Sequence, residues 1–89
     1  MNSETNWDLQ IDNSVLKFFK KIPRKDVESL DVAIRLLPVN PYFGDIQKIK
    51  SENEAWRRRV GAYRIFFKIK MKEKIILVSE VKRRKSDTY

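Results

Sequence analysis

Apolar and polar side chains alternate from Asn6 to Ile11, with Trp7, Leu9 and Ile11 on one side, the two-residue period of a short strand. Asp12, Asn13 and Ser14 then offer helix N-caps. The period lengthens after them: Val15, Phe18, Phe19 and Ile22 recur at i, i+3, i+4 and i+7, the apolar stripe of a first helix. Pro23 suits the first turn of a second helix, which carries Val27, Leu30, Ala33, Ile34 and Leu37 on its inner face and stops at Pro38. Val39 to Gly44, with Asn40-Pro41 inside it, reads as a loop. The period of two then returns. Ile46 to Lys50 predicts a short strand, with Ile46, Lys48 and Lys50 facing one way, and Ser51 to Glu54 a polar turn. Ala55 to Val60, Ala62 to Lys70 and Lys74 to Lys82 predict three longer strands. Gly61-Ala62 and Met71-Lys72-Glu73 are the turns between them. Strands joined by such short turns run antiparallel. The order β-α-α-β-β-β-β therefore predicts an α+β fold, two N-terminal helices packed on one face of an antiparallel sheet whose other face stays open.

The chain has 89 residues, enough for one domain spanning 1–89. With 42% hydrophobic residues, two Gly and three Pro it reads as globular. The absence of Cys excludes a disulfide scaffold, a thiolate zinc site and a Cys nucleophile, and the absence of His removes the usual general base and commonest metal ligand. No apolar run is long enough to span a bilayer, and Met1 to Asn6 carries neither a basic nor an apolar signal region, so a cytoplasmic protein with no membrane contact is expected. No carboxylate cluster suggests a metal, and no cofactor is expected.

Charge changes the picture. Residues 1–55 hold 8 basic and 9 acidic side chains, and residues 56–89 hold 12 basic and 3 acidic, a net +9 in the last third of the chain. Such a concentration is the footprint of a surface for phosphate backbones, because neutralising phosphates releases their condensed counterions. A solvated charged face or a patch for an acidic protein is the plainer alternative.

The densest chemistry lies in Trp56-Arg57-Arg58-Arg59-Val60-Gly61-Ala62-Tyr63-Arg64. If Trp56 and Val60 pack on the helices, Arg57 and Arg59 stand on the open face about 7 Å apart, a spacing that suits consecutive phosphates. Arg64, across the tight turn, can join them. The plainer reading is a charged strand face that prevents aggregation. The second cluster is the tail Lys82-Arg83-Arg84-Lys85-Ser86-Asp87-Thr88-Tyr89, which reads either as a flexible electrostatic arm or, if docked, as a segment placing Arg83 and Tyr89 beside the sheet arginines. A site without His can still cleave RNA when the nucleophile is the substrate's own 2′-hydroxyl. Arginines then stabilise the phosphorane charge but remain protonated, which leaves Tyr89 as the acid/base or base-stacking group. Such a site is weak on free RNA and needs an external agent to arrange the substrate.

Trp7, the Phe-Phe-Lys-Lys-Ile-Pro at the end of the first helix, Asn40-Pro41, the Trp-Arg-x-Arg-Val-Gly-x-Tyr-Arg-Ile block and the terminal Val-Lys-Arg-Arg together resemble the RelE/ParE superfamily of toxins from toxin–antitoxin modules. The resemblance runs from about Trp7 to Tyr89, and the superfamily's fold is two helices on a curved antiparallel sheet. RelE-type members are ribosome-dependent endoribonucleases that cut mRNA and so inhibit translation; ParE-type members poison DNA gyrase. The resemblance to the RelE branch implies phosphate clamping and transition-state stabilisation by Arg57, Arg59, Arg64 and Arg83, with Tyr89 in proton transfer or stacking. Arg58, Lys82, Arg84 and Lys85 are expected to assist RNA binding. Arg stands at two strand positions where some relatives have Lys, and Arg58 stands where many have an aliphatic residue. The alternatives are a ParE-like gyrase inhibitor and a catalytically inactive RNA- or ribosome-binding module. The partners implied are the ribosome and mRNA, an acidic, helical, RelB-like antitoxin, and operator DNA only through the antitoxin complex. Displacement of the C-terminal tail is one way such an antitoxin would neutralise the site.

Overall fold

Asp12 ends the first strand and starts the first helix: its carboxylate accepts the Ser14 backbone N–H at 2.9 Å, and hydrogen bonding from the Ser14 side chain and then its backbone lowers the carboxyl pKa from its ordinary value. The computed structural model describes residues 7–49 and 54–84. Along these the chain forms β1 (Asp8–Ile11), α1 (Asn13–Phe19), α2 (Arg24–Leu36), β2 (Ile46–Lys48), β3 (Ala55–Val60), β4 (Tyr63–Lys70) and β5 (Ile75–Arg83). Pro23 caps α2 rather than entering it, and Leu37 closes its last turn.

The strands lie in the order β1-β5-β4-β3-β2. β2, β3, β4 and β5 pair antiparallel, as their short connections require. β1 pairs parallel with β5, so the sheet is mixed where the turn lengths alone implied an antiparallel one. β1 has no tight turn to a neighbour. The helices carry the chain away from it before β2 begins at the opposite edge, and β5 returns to its side in the same direction.

The core is one layer between helices and sheet. Val15, Leu30, Ala33, Ile34 and Leu37 meet Tyr63, Ile65, Phe67, Ile69, Ile76, Val78 and Val81. On β4 this alternation has no exception: Tyr63, Ile65, Phe67 and Ile69 are buried, while Arg64, Phe66, Lys68 and Lys70 point to the opposite face. β5 keeps the same logic with one interruption. Phe66 pairs with Glu80 but Phe67 pairs with Val78, so Ser79 is an extra residue, a β-bulge. The bulge is tied down by hydroxyls, Ser79 Oγ donating to the Phe66 carbonyl and Ser14 Oγ to the Ser79 carbonyl, both at 3.2 Å. Through it Val78 and Val81, an odd number of residues apart, both reach the core. The β3–β4 turn is two residues long, with Gly61 at a φ of +56° that side chains rarely adopt.

Phe67, 1% exposed, is the largest of the fully buried side chains in this layer. Phe67→Ala is expected to lower the unfolding free energy by about 3–5 kcal/mol, measurable as a shift of the urea midpoint.

Candidate functional site

The face of the sheet away from the helices gathers three arginines. Trp56, Arg58 and Val60 of β3 alternate toward the helix side, so Arg57 and Arg59 stand on the open side. There Arg59 lies opposite Arg64 of β4, and Arg57 opposite Phe66. β2 supplies the wall. Arg57 Nη2 donates to Gln47 Oε1 at 2.6 Å, and Arg59 Nε to Asp45 Oδ2 at 2.9 Å. The Arg59 backbone N–H also donates to the Asp45 carbonyl at 2.8 Å, which fixes the loop before β2 to the strand. Asp45, Gln47, Arg57, Arg59 and Arg64 line a cavity of about 120 Å³. Three guanidiniums share it with one carboxylate, a formal excess of 3 − 1 = +2 around a small concavity, which favours an anion. The Arg59–Asp45 pair is half exposed on both sides, so it is worth roughly 0–1 kcal/mol and gives way readily to a phosphate oxygen.

Lys82 extends this face. It lies opposite Arg64, its Nζ is 3.6 Å from Glu80 Oε2, and it sits 5.7 Å from the centre of the Phe66 ring.

Other expected site residues lie elsewhere. Arg83 is paired with Tyr63, not Arg64, and its side chain follows Tyr63 toward the helix side. Its guanidinium carbon is 5.1 Å from the Tyr63 ring centre and Nη2 donates to the Tyr63 hydroxyl at 3.2 Å. The cause is the Ser79 bulge: counted by twos from Ile76 and Val78, Arg83 belongs on the open face, and the extra residue turns it over. Arg58 also faces the helix side, where it stacks at 5.8 Å over the Phe43 ring and its Nε is buried without a hydrogen-bond partner. Gly44 makes room for it, since a Cβ there would come within 2.9 Å of the Arg58 guanidinium. Arg84 holds the β3–β4 turn, its backbone N–H donating to the Ala62 carbonyl at 2.6 Å and Nη1 to the Gly61 carbonyl at 3.5 Å. Lys85 and Tyr89 lie outside the described residues.

Three residues of this face escaped the reading of the sequence. Phe66 is visible in retrospect, because the alternation from Tyr63 to Lys70 already sends it outward. Asp45 and Gln47 carry no such signal, since their place depends on the β2–β3 register. No group of three or more Asp or Glu gathers to hold a metal among the described residues.

Behind the arginine face, Tyr63 ties three elements together. Its hydroxyl donates to Asp26 Oδ2 of α2 at 2.6 Å and accepts from Arg83, and its ring meets Phe18 of α1 edge-on at 6.0 Å. The hydrogen bond to the Asp26 carboxylate, with burial, raises the Tyr63 hydroxyl above its ordinary value.

Residues 7–88 match the family of ParE toxins of type II toxin–antitoxin systems, parDE, and the chain belongs to that family, within the RelE/ParE superfamily. It is 27% identical over 81 residues to the putative toxin RelE1 of Methanocaldococcus jannaschii, covering 88% of this chain and 90% of that protein. It superposes with a TM-score of 0.80 on the archaeal RelE–RelB complex from Pyrococcus horikoshii OT3, at 21% identity over 92% of this chain and 99% of that one. On the RelB–RelE antitoxin–toxin complex from Methanococcus jannaschii the TM-score is 0.71 at 25% identity, covering 86% of this chain and 92% of that one.

Tyr63→Phe leaves the Asp26 carboxylate and Arg83 without their shared partner and is expected to cost about 1–2 kcal/mol, read by urea denaturation at neutral pH. Because the folded-state pKa of Tyr63 is raised, the unfolded chain releases this proton first. The stabilisation is therefore intact below about pH 10 and is lost as pH rises through the folded value, so the variant and the parent should converge in stability at high pH.

Proposed function

We propose that this chain is a RelE-type toxin that cuts mRNA on the ribosome, in the cytoplasm, using the RNA's own 2′-hydroxyl as nucleophile. The observation that carries this reading is the convergence of Arg57, Arg59 and Arg64 on one concave site of the helix-free face. In the reaction the 2′-oxygen bonds to phosphorus, the bond from phosphorus to the 5′-oxygen breaks, and a proton passes from the former to the solvent side and is regained by the latter. The three guanidiniums bind the phosphate and stabilise the charge that builds on its equatorial oxygens. They stay protonated throughout, so they do not carry the proton. Tyr89 is assigned proton transfer or stacking on the mRNA base. Lys82, on the same face as Arg64, joins the clamp, while Arg83 and Arg58 support the fold behind it.

The small size of the cavity and the absence of His fit an enzyme that relies on its target to shape the substrate. The partner proposed is an acidic, helical antitoxin of RelB type. Two of the similar solved structures are complexes of RelE with RelB, and an acidic segment matches the positive sheet face. Contact with operator DNA is assigned to that complex through the antitoxin. A second reading, inhibition of DNA gyrase, is favoured by one finding, the ParE description of the matching family.

Cleavage of a defined mRNA, with and without programmed ribosomes, decides between them. Ribosome-dependent cuts within the coding region are expected, with a loss of about 10²–10³-fold in Arg64→Ala. Tyr89→Phe keeps the ring and loses the hydroxyl; a large loss assigns proton transfer and a small one stacking. Intact mRNA under every condition, with inhibited supercoiling by gyrase, establishes the second reading instead.

A further inference from the structure

Beside the arginine pocket, the open face has a second concavity of different chemistry. Ile49, Ala55, Phe66, Lys68, Ser79 and Glu80 line it on this side of the sheet, a cavity of about 110 Å³. Phe66 lines the second, beside residues that line the first. It stands opposite Arg57 on β3, and two residues along β4 lie Arg64 on one side and Lys68 on the other. Alternate residues of a strand are about 7 Å apart, so cation, aromatic ring and cation follow one another at the pitch of an extended nucleotide chain. An aromatic side chain on the solvent face of a sheet gains nothing for the core behind it; the core on β4 is complete with Tyr63, Ile65, Phe67 and Ile69.

The geometry points to a nucleobase-stacking subsite on Phe66, adjoining the phosphate pocket, for one base of a single-stranded RNA. This rests on the reading of the arginine pocket as a phosphate site. Phe66 is half-buried on this face, and stacking on an aromatic ring of an open sheet, with phosphates held by flanking cations, is a way such sheets hold single-stranded nucleic acid. The Lys82 ammonium that now lies 5.7 Å from the ring centre, 3.6 Å from Glu80, is held by two exposed contacts. Binding moves it from the ring to a phosphate and gives the ring to the base. The neighbouring cavity, with Ile49 and Ala55 in its lining, takes the base edge. The Ser79 hydroxyl is already committed to the Phe66 carbonyl, so the subsite offers shape and stacking rather than a hydrogen-bond code. It therefore accepts different bases.

Affinity for a short single-stranded 2′-deoxyoligonucleotide, which has no 2′-hydroxyl to cut itself, tests this without the ribosome. The same strand with one abasic position, scanned along its length, is the companion probe. For the unaltered protein one abasic position should weaken binding by about 5- to 150-fold, the range of one base–aromatic stack. Phe66→Leu should lose the same factor and no longer distinguish the abasic strand, and Phe66→Tyr should restore both. The slope of log affinity against log salt should be unchanged in Phe66→Leu but fall by about 0.7 in Lys82→Ala. Thermal unfolding of each variant shows whether Phe66→Leu still folds, and Phe66→Tyr carries the test if it does not. If Phe66→Leu is folded and binds as the parent does, or still discriminates the abasic strand, the subsite is wrong while the phosphate pocket stands. If no strand binds, the subsite falls, and the phosphate pocket is judged separately by ribosome-dependent cleavage in Arg64→Ala.

Discussion

Both faces of this protein depend on the side-chain alternation of β4. The strand is central in the sheet, with β3 and β5 hydrogen-bonded to its two sides, and its register sets theirs. Burying Tyr63, Ile65, Phe67 and Ile69 against the helices obliges Arg64, Phe66, Lys68 and Lys70 to face outward. The large apolar area behind the strand thus supplies the free energy that holds several like charges close together in front of it. A slip of one residue would send four charged or outward side chains into the core, so the chemistry of the open face is as well fixed as the packing behind it.

The arginine pocket is built on this base with little further cost. Gln47 and Asp45 orient two of the three guanidiniums from the neighbouring edge strand and the loop before it. Both contacts are surface contacts, strong enough to pre-set direction and weak enough to exchange for phosphate oxygens. The opposite side of the sheet uses its cations differently. Arg58 and Arg83 lie over aromatic rings, where their planar groups serve packing, and Tyr63 joins Asp26 to Arg83 so that α2 and the end of β5 are held by one hydroxyl.

Most of the architecture could be read from periodicity. The stripe of Val15, Phe18 and Phe19, the stripe from Val27 to Leu37, and the alternations after Gly44 gave the elements and their order. The pairing direction of β1 could not be read so, because it follows from where the helices lead the chain and no short turn announces it. The placing of Arg57, Arg59 and Arg64 followed from alternation within a strand, a local rule. Asp45 and Gln47 needed the β2–β3 register, a tertiary fact. Arg83 was misplaced for a different reason: alternation holds only within an unbroken ladder, and Ser79 breaks it with a residue whose type does not advertise a bulge.

That bulge divides β5 into two segments whose inward sides are set independently. Ile76 and Val78 obey one count, Val81 and Arg83 another, and the junction is a single serine. The sign and shape of what borders the arginine pocket are therefore governed by whether Ser79 stays out of the ladder as much as by residue identity. Drawing Ser79 into a regular ladder, with no residue lost, would set Val81 opposite Arg64 in place of Lys82 and drive Lys82 toward Tyr63 and the helices, whereas removing Ser79 would leave Lys82 and Arg83 on the faces they now occupy. A relative of equal length with an unbroken ladder would present different side chains at aligned positions, while one shorter by this residue would keep equivalent chemistry across a one-residue gap.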